Sequence, residues 1–464
     1  MNVQLRSVAT QTTMPGASAL QQLLATAEAD NPYWLRADRL AQLRLQAAQE
    51  VLDLRRGQIQ VLERRAADSR ILRIERLADL VPLLFSHTTY KSYPASYVSR
   101  GQWTRLLNWF GTLSAVPVND VDVAGVSDID GFIERLWAAG HLAVTTSGTS
   151  GKVSFLQLRK ADHDFREGWT ARHWFFPDPM RGGNHRHFFQ MAPKYGPYLM
   201  MVGAPKLISL WARPDSVHYL TEDRLRVSYL MRAAEMRQRL AEGSATASAI
   251  AEYEAEVKAQ QAKAAIAFER ITDTLLELHR EPLFLMAQWA MLWRIMAKAR
   301  ARGIPNGQFH PDSVVTGGGG TKGLKLPPDY EQQMQEFLGP QVYMPKRYGM
   351  SEMSVTCGRC EAGNFHPVPW VIPMVLDASG ERLPDPGTGV VEGRFAFLDL
   401  SFHGRWGGLI TGDKVRMSYA PYCTCGRAGP VVLPGISRYS DLGEEDKIGC
   451  AGTIEAYIRG AIEP

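Results

Sequence analysis

The chain is 464 residues long, with 45% hydrophobic, 22% charged and 9% aromatic residues, and 52 basic side chains against 48 acidic ones leave a formal charge of +4. That length allows two to four structural units and a sizeable core, and the near balance of charge gives no reason to expect a nucleic-acid partner. No run of 18 apolar residues occurs and the start, MNVQLRSVATQTTMPG, has no apolar leader, so neither a membrane span nor secretion is expected and a cytoplasmic protein is.

Residues 18–80 read as helices, because ALQQLLATAEA and the stretch from Pro32 to Val61 space their apolar residues three to four apart. LVPLLFSHTTYKSYPASYV then brings Pro82, Pro94 and paired aromatics, which predicts an extended segment. Ile129 to Ala139 predicts a short helix ended by Gly140. LAVTTSGTSGKVSFLQL reads as strand, loop, strand. Residues 221–302 form a second helical block, which Gly243-Ser244 breaks into two long helices. The Ala/Glu/Lys-rich part, 246–270, reads as a solvated face. From Asp312 onward short strands alternate with Gly/Pro turns.

Four stretches carry chemistry. Thr145-Thr146-Ser147-Gly148-Thr149-Ser150-Gly151-Lys152 gathers small hydroxyl residues whose N–H and O–H groups can surround phosphate oxygens, with Lys152 as a neutralising charge. Position 146 is Thr, so this is not a Walker A loop; a plain hairpin turn is the other reading. Gly318, Gly319 and Gly320 follow the strand-like DSVVT and permit close backbone approach to a flat ligand. Pro327-Pro328 argues against a helix opening there, so no dinucleotide fingerprint is read, and a plain loop is the alternative. Tyr348-Gly349-Met350-Ser351-Glu352 joins an aromatic face to a carboxylate. Ile410-Thr411-Gly412-Asp413 sets a carboxylate just after a Gly turn.

In this order the four stretches resemble the motifs of the adenylate-forming superfamily, which includes acyl-CoA ligases, luciferases and peptide-synthetase adenylation domains. The resemblance implies an α/β fold, with mixed sheets packed by helices and a small β-barrel-like part. It implies a helical region at 1–125, an adenylating core at 126–435 and, at 436–464, a short remnant of a C-terminal lid domain that is otherwise missing. It implies activation of a small carboxylic acid by ATP, giving acyl-AMP and pyrophosphate. Thr145 to Lys152 match the loop on the β- and γ-phosphates, although Val153-Ser154-Phe155 replaces the usual Pro-Lys-Gly. Gly318 to Gly320 match the strand end facing adenine, and Tyr348 the residue stacked on it. Ser351 and Glu352 match the positions on the α-phosphate and Mg²⁺, for which a hard oxygen ligand is the right type. Asp413 matches the carboxylate on the ribose hydroxyls, and Arg438 the hinge arginine. His187 to Tyr195 lie where the family places its acid-pocket segment.

The GGGG-Thr-Lys-Gly loop, YGMSE and Gly363-Asn364-Phe365-His366-Pro367 most resemble the acyl-protein synthetase (luciferin-component ligase) and phenylacetate-CoA ligase-like branch. In that synthetase the acyl group passes to a cysteine near the C-terminus, a position matched by Cys450; the other reading of Cys450 is a small buried apolar residue. The acceptor is then CoA, an acyl carrier protein, a partner enzyme or Cys450 itself, and a homodimer is the assembly to look for. Two alternatives stay open: transfer of the acyl group to an amine, and a degenerate nucleotide-binding subunit.

All five cysteines lie in the last quarter of the chain. Cys357-x-x-Cys360 and Cys423-x-Cys425 make two close pairs of soft ligands, which suit tetrahedral Zn²⁺. His366 is a substitute ligand if one cysteine is free. Buried free thiols and redox chemistry are the alternatives.

Overall fold

A computed structural model describes residues 16–146, 152–178, 180–318, 326–385, 387–442 and 448. The early helices form as their periodicity predicts: Ala19–Ala25, Ala37–Arg55 and Gln60–Asp68. Ala19–Ala25 opens on a capping box between Ser18 and Gln21. Ile129–Ala138 is capped by the Asp128 carboxylate, which accepts from the Gly131 N–H, and Gly140 follows it at φ +77°.

The N-terminal helices do not stand apart. Buried residues from Ala19 to Ile448 form one continuous core with the C-terminal strands. Arg44 donates to the carbonyls of Pro369 and Val368, Arg55 to that of Phe402, and the Tyr33 hydroxyl to that of His366. Phe85–Ser86 pairs in parallel with Leu409 and Ile410.

Those C-terminal strands, with Phe85–Ser86, form a sheet of nine strands among the described residues. Its path runs Val371–Leu376, Val390–Asp399, Gly408–Ser418, Val431–Val432, Phe365–His366, Cys357–Arg359, Arg347–Tyr348, each antiparallel to the next. A second sheet of four parallel strands runs Ala212–Arg224, Arg186–Tyr195, Leu283–Gln288, Val314–Gly318. Parallel neighbours need crossovers, and the helices Leu199–Trp211, Ala247–Glu277 and Trp289–Ala301 lie on them. The strands Leu142–Thr146 and Ser154–Leu158 make a separate antiparallel hairpin.

Three expectations about elements change. The block 221–302 is not all helix: a strand reaches Arg224, and Leu283–Gln288 is an inner strand of the parallel sheet. A short buried apolar run has no face to alternate, so periodicity does not separate it from helix. The segment after Leu77 is not simply extended. It coils into 3₁₀ turns at Leu77–Leu83 and Thr89–Lys91 and a short helix at Ala95–Ser99. The helices Trp103–Thr112, Lys160–His173 and Leu199–Trp211 stand where no helix was predicted.

The solvated face behaves as predicted. Ala247–Glu277 has buried residues only from Phe268 onward, and Ile266 is 72% exposed. No described helix is long and apolar enough to cross a membrane.

Candidate nucleotide site and metal centre

Ser147 to Gly151, Gly319, Gly320 and Cys450 lie outside the described residues, as does most of the remnant expected at 436–464. The flanks of the first loop are described. Thr145 is buried and its N–H donates to the Pro197 carbonyl at 2.7 Å, which docks the hairpin beside the parallel sheet. Thr146 ends its strand half-buried. On the far side of the loop, the Lys152 ammonium donates to the Tyr93 carbonyl at 2.8 Å, and the Tyr93 hydroxyl donates to the Val153 carbonyl at 3.0 Å.

Gly318 ends the strand Val314–Gly318 with open space where a Cβ would stand. Gly317 is held to glycine for another reason: a Cβ there would lie 2.6 Å from the Trp289 ring. Of the acid-pocket segment, Phe188 and Phe189 are wholly buried in two different cores, while Tyr195 is exposed.

Tyr348 begins the next motif on a short strand. Its ring is buried, packed edge-on against Phe395 at 5.3 Å, and its hydroxyl donates to the Asp413 carboxylate at 2.9 Å. Burial and the neighbouring Asp413 hold that phenol well above the usual tyrosine range, so it stays a donor. Gly349 is exposed, and a Cβ on it would lie 2.8 Å from Thr356. The chain then turns from Met350 to Met353, and Ser351 and Glu352 sit half-buried at the corner.

Asp413 is aimed by the strand that carries it. A bulge lies between Arg394 and Ala396 on the facing strand, opposite the Thr411-Gly412-Asp413 stretch. The Thr411 hydroxyl donates to the Phe395 carbonyl and accepts from the Asp413 N–H. Arg438 is the register partner of Asp413, and its Nε lies 3.4 Å from the carboxylate. Tyr348, Asp413 and Arg438, 90 residues apart in sequence, are therefore one contact set.

Sequence reasoning missed the residues that join Lys152 to Glu352. Arg405 is buried, and it donates to the Glu352 carbonyl at 2.6 Å and to the Tyr90 hydroxyl at 3.4 Å. Tyr90 and Tyr93 lie three residues apart, so this one segment touches both Lys152 and the support of Glu352. The paired aromatics near Pro94 were visible in the sequence, but nothing there gave their partners. Asp399, also missed, is buried and accepts from the Ser354 and Ser401 N–H groups.

The cysteine expectation is met in part. The ligand atoms of Cys360, His366, Cys423 and Cys425 all lie within 4.8 Å of one another. Cys360 and Cys423 sulfurs stand 4.0 Å apart, and the Cys425 sulfur is 3.3 Å from His366 Nε2. Cys357 is not in the set. It is wholly buried on its own strand, and burial pushes its thiol up to about 12. His366 takes the fourth place.

Two matching turns build this cluster. In the first, the Cys360 N–H donates to the Asn364 carbonyl and the Gly363 N–H to the Cys360 carbonyl. In the second, Cys423 and Arg427, then Gly426 and Cys423, repeat the same two bonds. Each turn needs a positive φ at its glycine, +83° at Gly363 and +86° at Gly426. Arg427 makes a bidentate pair with Glu361, tying one turn to the other. Burial holds His366 down at about 4, so its imidazole is neutral and ready to ligate. Asn364 donates to the Cys423 sulfur at 3.4 Å.

No family model and no curated protein matches this sequence. Among solved structures the chain is similar to an open conformation of 2-hydroxyisobutyryl-CoA ligase in complex with 2-HIB-AMP and CoA, at 15% identity and a TM-score of 0.53 over 89% of this chain and 79% of that one. It is similar to the same ligase in the thioesterification state, at 15% identity and a TM-score of 0.53 over 88% of this chain and 72% of the other. A postadenylation form with 2-HIB-AMP matches at 13% identity and a TM-score of 0.51, over 89% and 72%. The chain therefore has the mixed α/β fold of adenylate-forming ligases.

Proposed function

We propose that this protein is an ATP-dependent ligase that activates a small carboxylic acid as acyl-AMP and then passes the acyl group to a thiol. The observation that carries this reading is the set of contacts made by three of the four motifs and by Arg438. Lys152 and Glu352 meet the Tyr90–Tyr93 segment directly and through Arg405, and Tyr348 meets Asp413 and Arg438. The fold shared with acyl-CoA ligases supports it.

In the first step a carboxylate oxygen of the acid attacks the α-phosphorus of ATP. The bond from that phosphorus to the bridging oxygen breaks, and pyrophosphate leaves with the electron pair. Lys152 and the 145–151 loop hold the departing phosphates. Ser351 contacts the α-phosphate, and Gly318 to Gly320 let the base approach the backbone. Asp413 accepts both ribose hydroxyls, and Arg438 and the Tyr348 hydroxyl hold its carboxylate in place. Glu352 is the ligand for Mg²⁺, which when bound neutralises phosphate charge. In the second step a thiolate attacks the acyl carbon and AMP leaves. CoA, a carrier protein or Cys450 supplies that thiol.

The second metal in this reading is structural Zn²⁺ on Cys360, His366, Cys423 and Cys425. Three sulfurs and one neutral imidazole nitrogen fit a closed tetrahedral site, which leaves no open position for catalysis. It would pin the strand pair after Tyr348 to the turn that follows Gly408–Ser418.

The deciding experiment is acid-dependent ATP–pyrophosphate exchange across a panel of aryl, hydroxy and fatty acids. Exchange that needs both Mg²⁺ and an acid is the expected result. ATP binding with no exchange on any acid would replace this reading with that of a nucleotide-binding subunit.

A further inference from the structure

Away from the phosphate loop and the cysteine turns, a small cavity of about 20 Å³ lies between the helix Lys160–His173 and the strand pair Arg347–Tyr348/Cys357–Arg359. Arg166, Arg347, Trp174, Thr170 and Thr356 line it. About 10–15 Å³ holds one water-sized guest, so this cavity takes a single small one.

Its polar lining brings the Arg166, Arg347 and Trp174 donors together with the Thr170 and Thr356 hydroxyls and the His173 imidazole. Arg347 stacks on the Trp174 ring at 3.6 Å and donates to the Trp174 carbonyl. Arg166 donates through Nη1 to the carbonyls of Met353 and Ser354. The remaining guanidinium nitrogens of both have no protein partner among the described residues. The Trp174 indole N–H is buried and also lacks one. No carboxylate lines the cavity. Asp399 acts on Arg166 from outside it, as one negative charge for the two arginines, and its oxygens accept from Ser354 and Ser401. Burial lowers both arginines to about 10, and the charge of Arg166 adds to this at Arg347. Both therefore stay charged at neutral pH; Asp399 offsets Arg166, and no carboxylate acts on Arg347 among the described residues.

We infer that this cavity is an anion site, built by Arg166, Arg347 and the Trp174 indole for one halide-sized monovalent ion. A water there would accept two hydrogen bonds and leave the charge uncompensated; a chloride compensates it. The place matters. Arg347 directly precedes Tyr348, and Arg166 holds the carbonyls just after Glu352. An ion between them braces both ends of the Tyr348–Glu352 stretch. The binding itself is independent of the ligase reading, and the test reads binding alone.

Crystals of the intact protein soaked in sodium bromide should show an anomalous peak within hydrogen-bond distance of Arg166, Arg347 and the Trp174 nitrogen. In solution, replacing sodium gluconate by sodium chloride at constant ionic strength should raise Tm by about 2 °C, since an ion that binds only the folded chain stabilises it. Gluconate is too large for the cavity. Arg347→Met should lose the chloride-dependent rise. If that variant does not fold, the bromide peak in the unmodified protein decides the matter. A water in the cavity of bromide-soaked crystals, or an equal response to both salts, would overturn the inference.

Discussion

The cysteine–histidine cluster is assembled from two turns that each close within five residues, with the same pair of backbone bonds and the same left-handed glycine. The proposed nucleotide face is assembled differently. Lys152 and Glu352 are related through Tyr90 and Tyr93 on one segment and Arg405 on another, two distant parts of the chain. Local turns preset ligand geometry cheaply, and a closed site needs little else. The face proposed to take ATP is instead held by contacts between distant segments.

The largest expected effect separates chemistry from scaffold on the nucleotide side. Glu352→Gln keeps the carbonyl that Arg405 holds and removes only the charged oxygen. Pyrophosphate exchange should fall by about 10²–10³, with zinc content and Tm unchanged. A loss of zinc in this variant would mean that the two regions are not independent.

The converse substitution is Cys423→Ser. It removes a ligand whose sulfur also accepts from Asn364. Elemental analysis should fall from about one zinc per chain to near none, and Tm should drop by about 2–5 °C, because site assembly is coupled to folding. Cys357→Ser should leave zinc content unchanged, since that side chain lies apart from the cluster. Zinc lost from Cys357→Ser and retained in a His366→Ala variant would restore the four-cysteine set.

How far the sequence reaches follows from these length scales. Cys423 and Cys425 were legible as a close pair; Cys360 was legible only beside Cys357, which the fold leaves out of the cluster, and His366 entered as the substitute ligand. Tyr348, Asp413 and Arg438 were legible only through motif resemblance; no spacing rule joins positions 348, 413 and 438. Arg405 and Tyr90 were illegible. An arginine after a glycine and a tyrosine between Thr89 and Lys91 look like ordinary surface residues until the fold buries both. The strand Leu283–Gln288 was misread for a related reason: a strand covered on both faces has lost the alternation that marks strands.

Arg405 offers a smaller and more pointed test of that hidden support. Arg405→Met should reduce exchange on the order of tenfold through misplacement of Glu352. The loss should fall on kcat, with KM for ATP nearly unchanged, because the ribose contacts proposed for Asp413 remain. A general collapse of stability without this split would make Arg405 a packing residue only.

The smallest effect on exchange is expected from Cys450→Ser, and there the absence of change is informative. Adenylation leaves a mixed anhydride, which a thiolate captures better than any other side chain. Three of the five cysteines, Cys360, Cys423 and Cys425, are spoken for by the cluster. Cys357 is buried, and burial pushes its thiol up to about 12, so it stays a thiol at pH 7. Cys450 is the remaining candidate in the chain. Incubation with ATP and the right acid should therefore give an acylated protein whose label is lost on hydroxylamine treatment and absent in Cys450→Ser. Exchange should be unaltered in that variant, because the thiol acts only after the adenylate has formed. Robust exchange with no adduct by intact-mass spectrometry would assign the acceptor role to CoA or a carrier protein instead.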